Sequence, residues 1–274
     1  MIKDILALVD DGRACAPFLR DLLNTALTLE SHVDIAVLTP LPLTSPRFAP
    51  AGGLYIPEFA LRAEARMEMA RVRELVERWG TRAEVWGLHD DVAWLTDDLR
   101  HSNPIADLVV VGSKTSWEIP WLRRRVLEST LLYGGTPLLL LPDGHTLPHV
   151  RHAVLGWKPS PEAVRAMHEL LRLIQPGARI DLVTIGDKPE PDALGRDPET
   201  ALVRHLVRHD VLVEHHWLDD GTAPAAQLQA FAERRGADLL AVGAFAHSRV
   251  REILLGGVTR DLLDESRLPV LLAH

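Results

Sequence analysis

The chain has 274 residues, 47% hydrophobic and 25% charged, proportions that suit a globular protein with a sizeable core and exclude an extended disordered chain. Its formal charge of −8 argues against a general nucleic-acid surface, which needs a basic face to gain from counterion release. A single cysteine, Cys15, excludes an intrachain disulfide and fits a reducing compartment.

No stretch approaches the ~20 apolar residues of a membrane span. The opening MIKDILALVDDG has too short an apolar run, broken by Asp4, for a signal peptide. A cytoplasmic protein with no membrane contact is the expectation. Cys15, on the first predicted helix, reads as a packed thiol, since nothing nearby would lower its pKa.

In chain order, Ile5 to Val9 is a buried-strand run stopped by Asp10, Asp11 and Gly12. Leucines at helical spacing follow from about Ala14 to Leu29, and then a second strand, Val33 to Leu38. This is the start of a parallel sheet. The prolines and glycines of Pro40 to Pro57 exclude regular structure. A long helix is predicted from about Glu58 to Trp79, a strand at Ala83 to Gly87, a helix from about Val92 to His101 and a strand at Leu108 to Val111. A helix around Leu122 to Tyr133 leads to the strand Leu138 to Leu141. Turn chemistry in PDGHTLP, Pro142 to Pro148, marks a boundary, placing one domain at 1–146 and another at 147–274.

Beyond the boundary the order repeats. Strands are predicted at Ala153 to Trp157, Ile180 to Ile185, Leu212 to Trp217, Leu239 to Val242 and Val270 to Ala273. Helices are predicted at about Glu162 to Ile174, Glu199 to His209, Ala223 to Arg235 and from Val250 to Leu263. ADLVVVGS from Ala106 parallels ADLLAVGA from Ala237, and TPLLLLP from Thr136 parallels LPVLLAH at the end. Two fused copies is the economical reading.

The tail carries spaced glycines: Gly243, then Gly256, Gly257 and Thr259 after Val258. Glycines let backbone N–H groups approach a polyphosphate, and a following helix start favours negative charge. This tail, with REILLGGVT from Arg251 to Thr259, resembles the nucleotide loop of the universal stress protein family. The family pattern is Gly, two residues, Gly, nine residues, Gly, then Ser or Thr. Gly243 and Gly256 match it, while Ala246 stands at the second Gly and Gly257 at the hydroxyl.

The resemblance implies two tandem α/β domains of the adenine-nucleotide alpha-hydrolase-like kind. Each would hold a five-stranded parallel sheet of order 3-2-1-4-5 between helices. It also implies that Leu138 to Leu141 pairs with Val270 to Ala273, making the chain its own dimer, with further homodimerisation left open. For a ligand it implies ATP or a related adenine nucleotide, with no metal beyond nucleotide-associated magnesium. Phosphates would lie on Gly243, Ala246, Ser248, Arg249 and Gly256 to Thr259, with Arg249 supplying charge and Thr184 near the base.

The two halves depart from the pattern in opposite ways. After the first strand the family has Asp, Gly, Ser, with Asp reaching the nucleoside. Asp10 fits that position, or else serves as a turn or helix-cap residue; in the second half Lys158 replaces it. After Gly112 the first half has Thr115 for the second Gly and Arg124 and Arg125 for the later Gly pair, so its phosphate loop is degenerate. Arg123 to Arg125 read as a solvated helix face, with direct anion binding as the alternative.

Other signals read as structural. His205 and His209 lie four apart, a spacing zinc uses, but His215 and His216 face opposite ways on a strand and no cysteine completes a set. Asp90, Asp91, Asp219 and Asp220 precede predicted helices, where carboxylates favour the dipole. The tryptophans, Trp86, Trp94, Trp117, Trp121, Trp157 and Trp217, read as core or interface residues. There is no GxGxxG after the first strand, no P-loop and no GxSxG elbow. The leading expectation is a non-catalytic stress-response protein with an unknown protein partner, binding an adenine nucleotide through its second half. A slow ATP hydrolase or nucleotide-dependent enzyme, and a nucleotide-free interaction module, stay open beside it.

Overall fold

Strand β1 (Asp4–Val9) is buried from Ile5 onward, which an all-apolar run requires if both its faces are covered. The computed structural model describes residues 2–10, 13–41, 58–79, 83–91, 95, 105–146, 149–186, 198–221, 223–244 and 257–274. In the first half, α1 (Ala16–Leu29), β2 (His32–Leu41), α2 (Glu58–Arg78), β3 (Ala83–Asp91) and β4 (Leu108–Gly112) follow. A 3-10 turn (Lys114–Ser116), α3 (Pro120–Tyr133) and β5 (Leu138–Leu141) complete it. The second half contains β6 (Val150–Gly156), α4 (Pro161–Leu173), β7 (Ile174–Ile185), α5 (Pro198–Val207) and β8 (Leu212–Leu218). Then come α6 (Pro224–Arg235), β9 (Leu239–Gly243), α7 (Gly257–Asp264) and β10 (Val270–Ala273). The helix predicted at Val92 to His101 lies outside the described residues except for Leu95.

The ten described strands form one sheet, ordered β3-β2-β1-β4-β5-β10-β9-β6-β7-β8. Each half has the 3-2-1-4-5 order and is parallel throughout. The halves meet where β5 and β10 pair antiparallel, Leu138 opposite Leu272 and Leu140 opposite Val270. The internal pairing implied by the resemblance is therefore present. One core layer packs α1, α2, α4 and α5 on one face, through residues such as Phe18, Val72, Leu170 and Leu206. The other packs α3, α6 and α7 on the opposite face, through Leu122, Leu228 and Leu262. Each layer runs across both halves, so burial itself holds them together.

Local chemistry sets the helix starts. Proline opens α3, α4, α5 and α6, where its missing N–H costs nothing, and Ser160 caps α4 by accepting from the Ala163 amide at 3.1 Å. The two ADL segments act alike: Asp107 accepts from the Lys3 and Asp4 amides, and Asp238 from those of Arg151 and His152. Each ties the start of one central strand to its neighbour.

Several boundaries differ from the sequence reading: β3 runs on to Asp91 and β6 starts at Val150, and β2 and β7 are longer too. β2 continues through Pro40 and Leu41, paired with Asp90 and Asp91 of β3. Beyond Val37, β2 has lost β1 as a neighbour, and an edge tolerates the missing N–H of proline. β7 starts at Ile174, earlier than Ile180, with Gly177 at φ +77 and a register shift against β6 absorbing the extra residues. No described helix is long and apolar enough to cross a membrane.

Candidate functional site

Strand order reverses between β6 and β9, so the connections leaving their carboxyl ends diverge and open a crevice. A cavity of about 310 Å³ occupies it, bounded by Lys158 and Ser160 after β6, Gly243 at the end of β9, and Gly257 to Thr259 at the start of α7. That is the low end of ordinary ligand pockets. Trp157, Val183, Ile185 and Leu228 give it an apolar wall, and Asp220 faces it from the segment before α6. The Trp157 indole N–H is buried and meets no hydrogen-bond acceptor among the described residues.

Of the residues singled out from sequence, the cavity gathers Gly243, Gly257, Val258 and Thr259, together with Lys158. Ala246, Ser248, Arg249 and Gly256 lie outside the described residues. Thr184 does not line the cavity: Val183 and Ile185 do, and strand alternation turns Thr184 to the other face, where its hydroxyl meets His215 Nε2 at 3.1 Å. Trp157, Ser160 and Asp220 went unnoticed as site residues. Position alone marked them, each sitting just after a strand.

Gly243 is also needed for packing. A Cβ there would lie 2.5 Å from the Ala163 nitrogen and 2.7 Å from the Glu162 carbonyl carbon, both backbone atoms that cannot step aside. Gly243→Ala is expected to cost about 1–3 kcal/mol by overpacking, measured by urea denaturation. A cost below a few tenths would show that α4 can shift. At Gly257 a Cβ meets nothing within 4 Å, so a side chain there would project into open space.

A sequence profile of the universal stress protein family matches residues 149–274. This half of the chain belongs to the universal stress protein family. The whole chain matches the fold of a universal stress protein from Archaeoglobus fulgidus DSM 4304, with a TM-score of 0.71 at 15% identity, covering 98% of this chain and 95% of that one. A Pseudomonas aeruginosa PAO1 protein of unknown function matches with a TM-score of 0.53 at 12% identity, over 99% of this chain and 92% of that one. At such identities the likeness is one of fold. No curated protein matches the chain significantly.

In the first half, several positions equivalent to the universal stress protein loop are bonded to this chain's own groups. Asp10, 6% exposed, accepts from the amides of Ile119 (2.7 Å) and Glu118 (3.2 Å), at the entrance to α3. It thus ties the end of β1 to the segment that leads into α3, more than a hundred residues away. Thr115 and Ser113 both bond to Asp143, and the Phe18 ring would stand 2.8 Å from a Cβ on Gly112. Arg124 pairs with Glu128 at 3.0 Å, while Arg125 is exposed.

Arg123 corrects the reading of this run as a solvated face. It is 4% exposed, and its Nε donates to the Gly112 carbonyl at 3.0 Å and its Nη1 to the Leu263 carbonyl of the other half at 2.8 Å. Burial pulls its pKa down to about 10, with Asp264 acting against the shift, so it remains a cation at neutral pH. Trp121, expected in a core or interface, is exposed.

The histidines divide between the faces of the second half's sheet. His215 meets Thr184 and lies 3.7 Å from Glu199, whereas His216 faces Asp181 at 3.3 Å. His205 and His209 have ring centroids 4.7 Å apart, with His168 5.6 Å from His205. Among the described residues, ligand atoms converge as they would on a metal in His32, Asp34 and Glu84, and in Asp181, Glu214 and His216. In the second group Arg179 and Arg235 each contact both carboxylates, which disfavours a cation.

Burial, helped by His209, His168 and Arg208, lowers the His205 pKa below 6.5. The unfolded chain therefore takes up that proton first, and stability falls as pH drops through 6.5, until the folded imidazole is also protonated. His205→Gln should soften this loss: between about pH 7 and about pH 5 its melting temperature is expected to fall less than that of the wild type. Parallel curves would show that other groups dominate.

Proposed function

We propose that this chain is a tandem, non-catalytic universal stress protein, with domains at 1–146 and 147–274, that binds an adenine nucleotide in its second half and works in the cytoplasm. The observation that carries the reading is the asymmetry between the halves. A cavity stands open against Gly257, Val258 and Thr259 in the half that belongs to the family, whereas in the first half Asp10 is bonded to the Glu118 and Ile119 amides and Arg124 and Arg125 stand at the positions of the later glycine pair. The apolar wall suits a base, and Gly243 and Gly257, which carry no side chain, let backbone approach a phosphate.

Lys158 stands where the family places the nucleoside-binding Asp, and a cation cannot accept that hydrogen bond. Lys158→Asp is therefore expected to tighten ATP binding about ten- to a hundredfold, the worth of a hydrogen bond to a charged group. Asp10→Ala should leave affinity unchanged, although losing two bonds to amides costs roughly 1–3 kcal/mol of stability, so titration belongs well below its melting temperature. Calorimetric titration of the three proteins decides. Weaker binding by Asp10→Ala together with no change in Lys158→Asp would put the nucleotide in the first half. Steady phosphate release from ATP and magnesium would replace binding by slow hydrolysis.

A further inference from the structure

We propose that the cleft between the two halves, floored by Arg123, binds a phosphate-type dianion. The cleft has a volume of about 220 Å³ and lies between α3 of the first half and α7 of the second. Lys114, Arg123, Arg124 and Arg260 bring four positive charges to it, and Glu128 and Asp264 two negative ones. The excess of two positive charges arises in a chain whose formal charge is −8, so it is a local feature and not part of a general basic surface.

Arg123 makes the cleft more than a row of surface cations. Its guanidinium is buried, yet the oxygens it meets belong to the Gly112 and Leu263 carbonyls, which are neutral. Among the described residues no carboxylate comes within ion-pair distance of it, and Asp264 acts on it from farther away. Asp264 is instead shared by Lys114 at 3.6 Å and Arg124 at 4.0 Å. A buried cation without a counter-charge is costly, and an anion entering the cleft would relieve that cost. Arg260, exposed on α7, forms no ion pair among the described residues and is available to the same ligand.

The ligand class follows from charge and size. A dianion cancels the excess, and planar guanidinium groups match the oxygens of phosphate in pairs. The volume falls below the ordinary range of about 300–1,000 Å³ for whole small-molecule sites, so it admits inorganic phosphate or the phosphate end of a larger molecule. Leu127 and Leu263 supply apolar surface beside the charges, and Trp121, 52% exposed, offers a flat face at the rim. The inference is independent of the nucleotide reading, since the cavity of the second half uses Gly257 to Thr259 and the cleft uses Arg260, Leu263 and Asp264.

The test is calorimetric titration of the full chain with inorganic phosphate, at low ionic strength and neutral pH. The expected result is one phosphate bound per chain, with affinity falling at least about tenfold in the double variant Arg124→Gln, Arg260→Gln. Both side chains are exposed, so the fold should persist, and an unchanged melting temperature confirms it. Gly257→Asp, which places a carboxylate in the other cavity, should keep its phosphate binding. AMP titrated in parallel separates the sources: tighter binding than phosphate, lost in the double variant, marks the phosphate end of a larger molecule at the cleft. No saturable binding up to about 10 mM phosphate overturns the proposal. So does equal binding by wild type and double variant, or loss of binding in Gly257→Asp.

Discussion

Asp181→Ala is expected to destabilise the chain by about 1–3 kcal/mol, because it removes a buried acceptor while the two arginines it bonds are part-exposed and keep Glu214. Asp181 has no exposed surface and lies on β7, between β6 and β8. Its carboxylate accepts from Arg235 Nε at 2.8 Å, Arg179 Nε at 2.9 Å, and the His152 and His216 rings at 2.9 and 3.3 Å. Alanine would leave the two guanidinium groups sharing Glu214, and two imidazoles without their acceptor. Urea denaturation measures the loss. A value below about 1 kcal/mol would mean that the arginines turn to solvent and the network is ornamental.

The same residue sets a pH dependence. Burial raises the Asp181 pKa, but the bonds from His152, Arg179 and His216 outweigh it and hold the carboxyl below 3.8. With the folded pKa below the unfolded one, this stabilisation is complete above the unfolded value and is lost as pH falls through the folded one. The gap in stability between wild type and Asp181→Asn should therefore be widest near neutrality and narrow below about pH 4. A gap unchanged by acid would remove the carboxylate's charge from the account.

Arg123→Met should cost about 2–4 kcal/mol. Two hydrogen bonds from a charged group are lost, each worth roughly 1.5–3 kcal/mol, and the gain from no longer burying a guanidinium without a counter-charge offsets part of that sum. The effect should also have a direction. Arg123 links the Gly112 carbonyl of one half to the Leu263 carbonyl of the other, so its loss loosens α7 against α3. Hydrogen exchange should quicken in both helices and stay unchanged in α2, which packs elsewhere. Arg123→Lys should rescue little, because one ammonium cannot span both carbonyls. A variant as stable as wild type would show the bridge to be incidental.

The sequence by itself determined the strands, their order in the chain and the duplication. An apolar run such as Leu138 to Leu141 has no polar side to offer water, so it must be covered on both faces, and only an inner strand of a layered sheet meets that need. Prolines and glycines then punctuated the helices at positions that local stereochemistry dictates. Gly243 and Gly257 of the cavity were legible from their spacing in the tail, whereas Gly156, far from them in the chain, was not.

Tertiary structure decided which side chains meet. Asp10 reaches amides 108 and 109 residues away, Asp181 collects donors from β6, β8 and α6, and Arg123 spans 140 residues to Leu263. Hydrogen-bond partners so distant leave no local period or spacing to read. The same limit hid the facing of Thr184, whose strand was clear from its apolar neighbours but whose side turned on which helices cover each face. Arg123 looked like part of a solvated run for a related reason: hydropathy describes a residue, whereas burial is decided by what packs over it, here a helix from the other half of the chain.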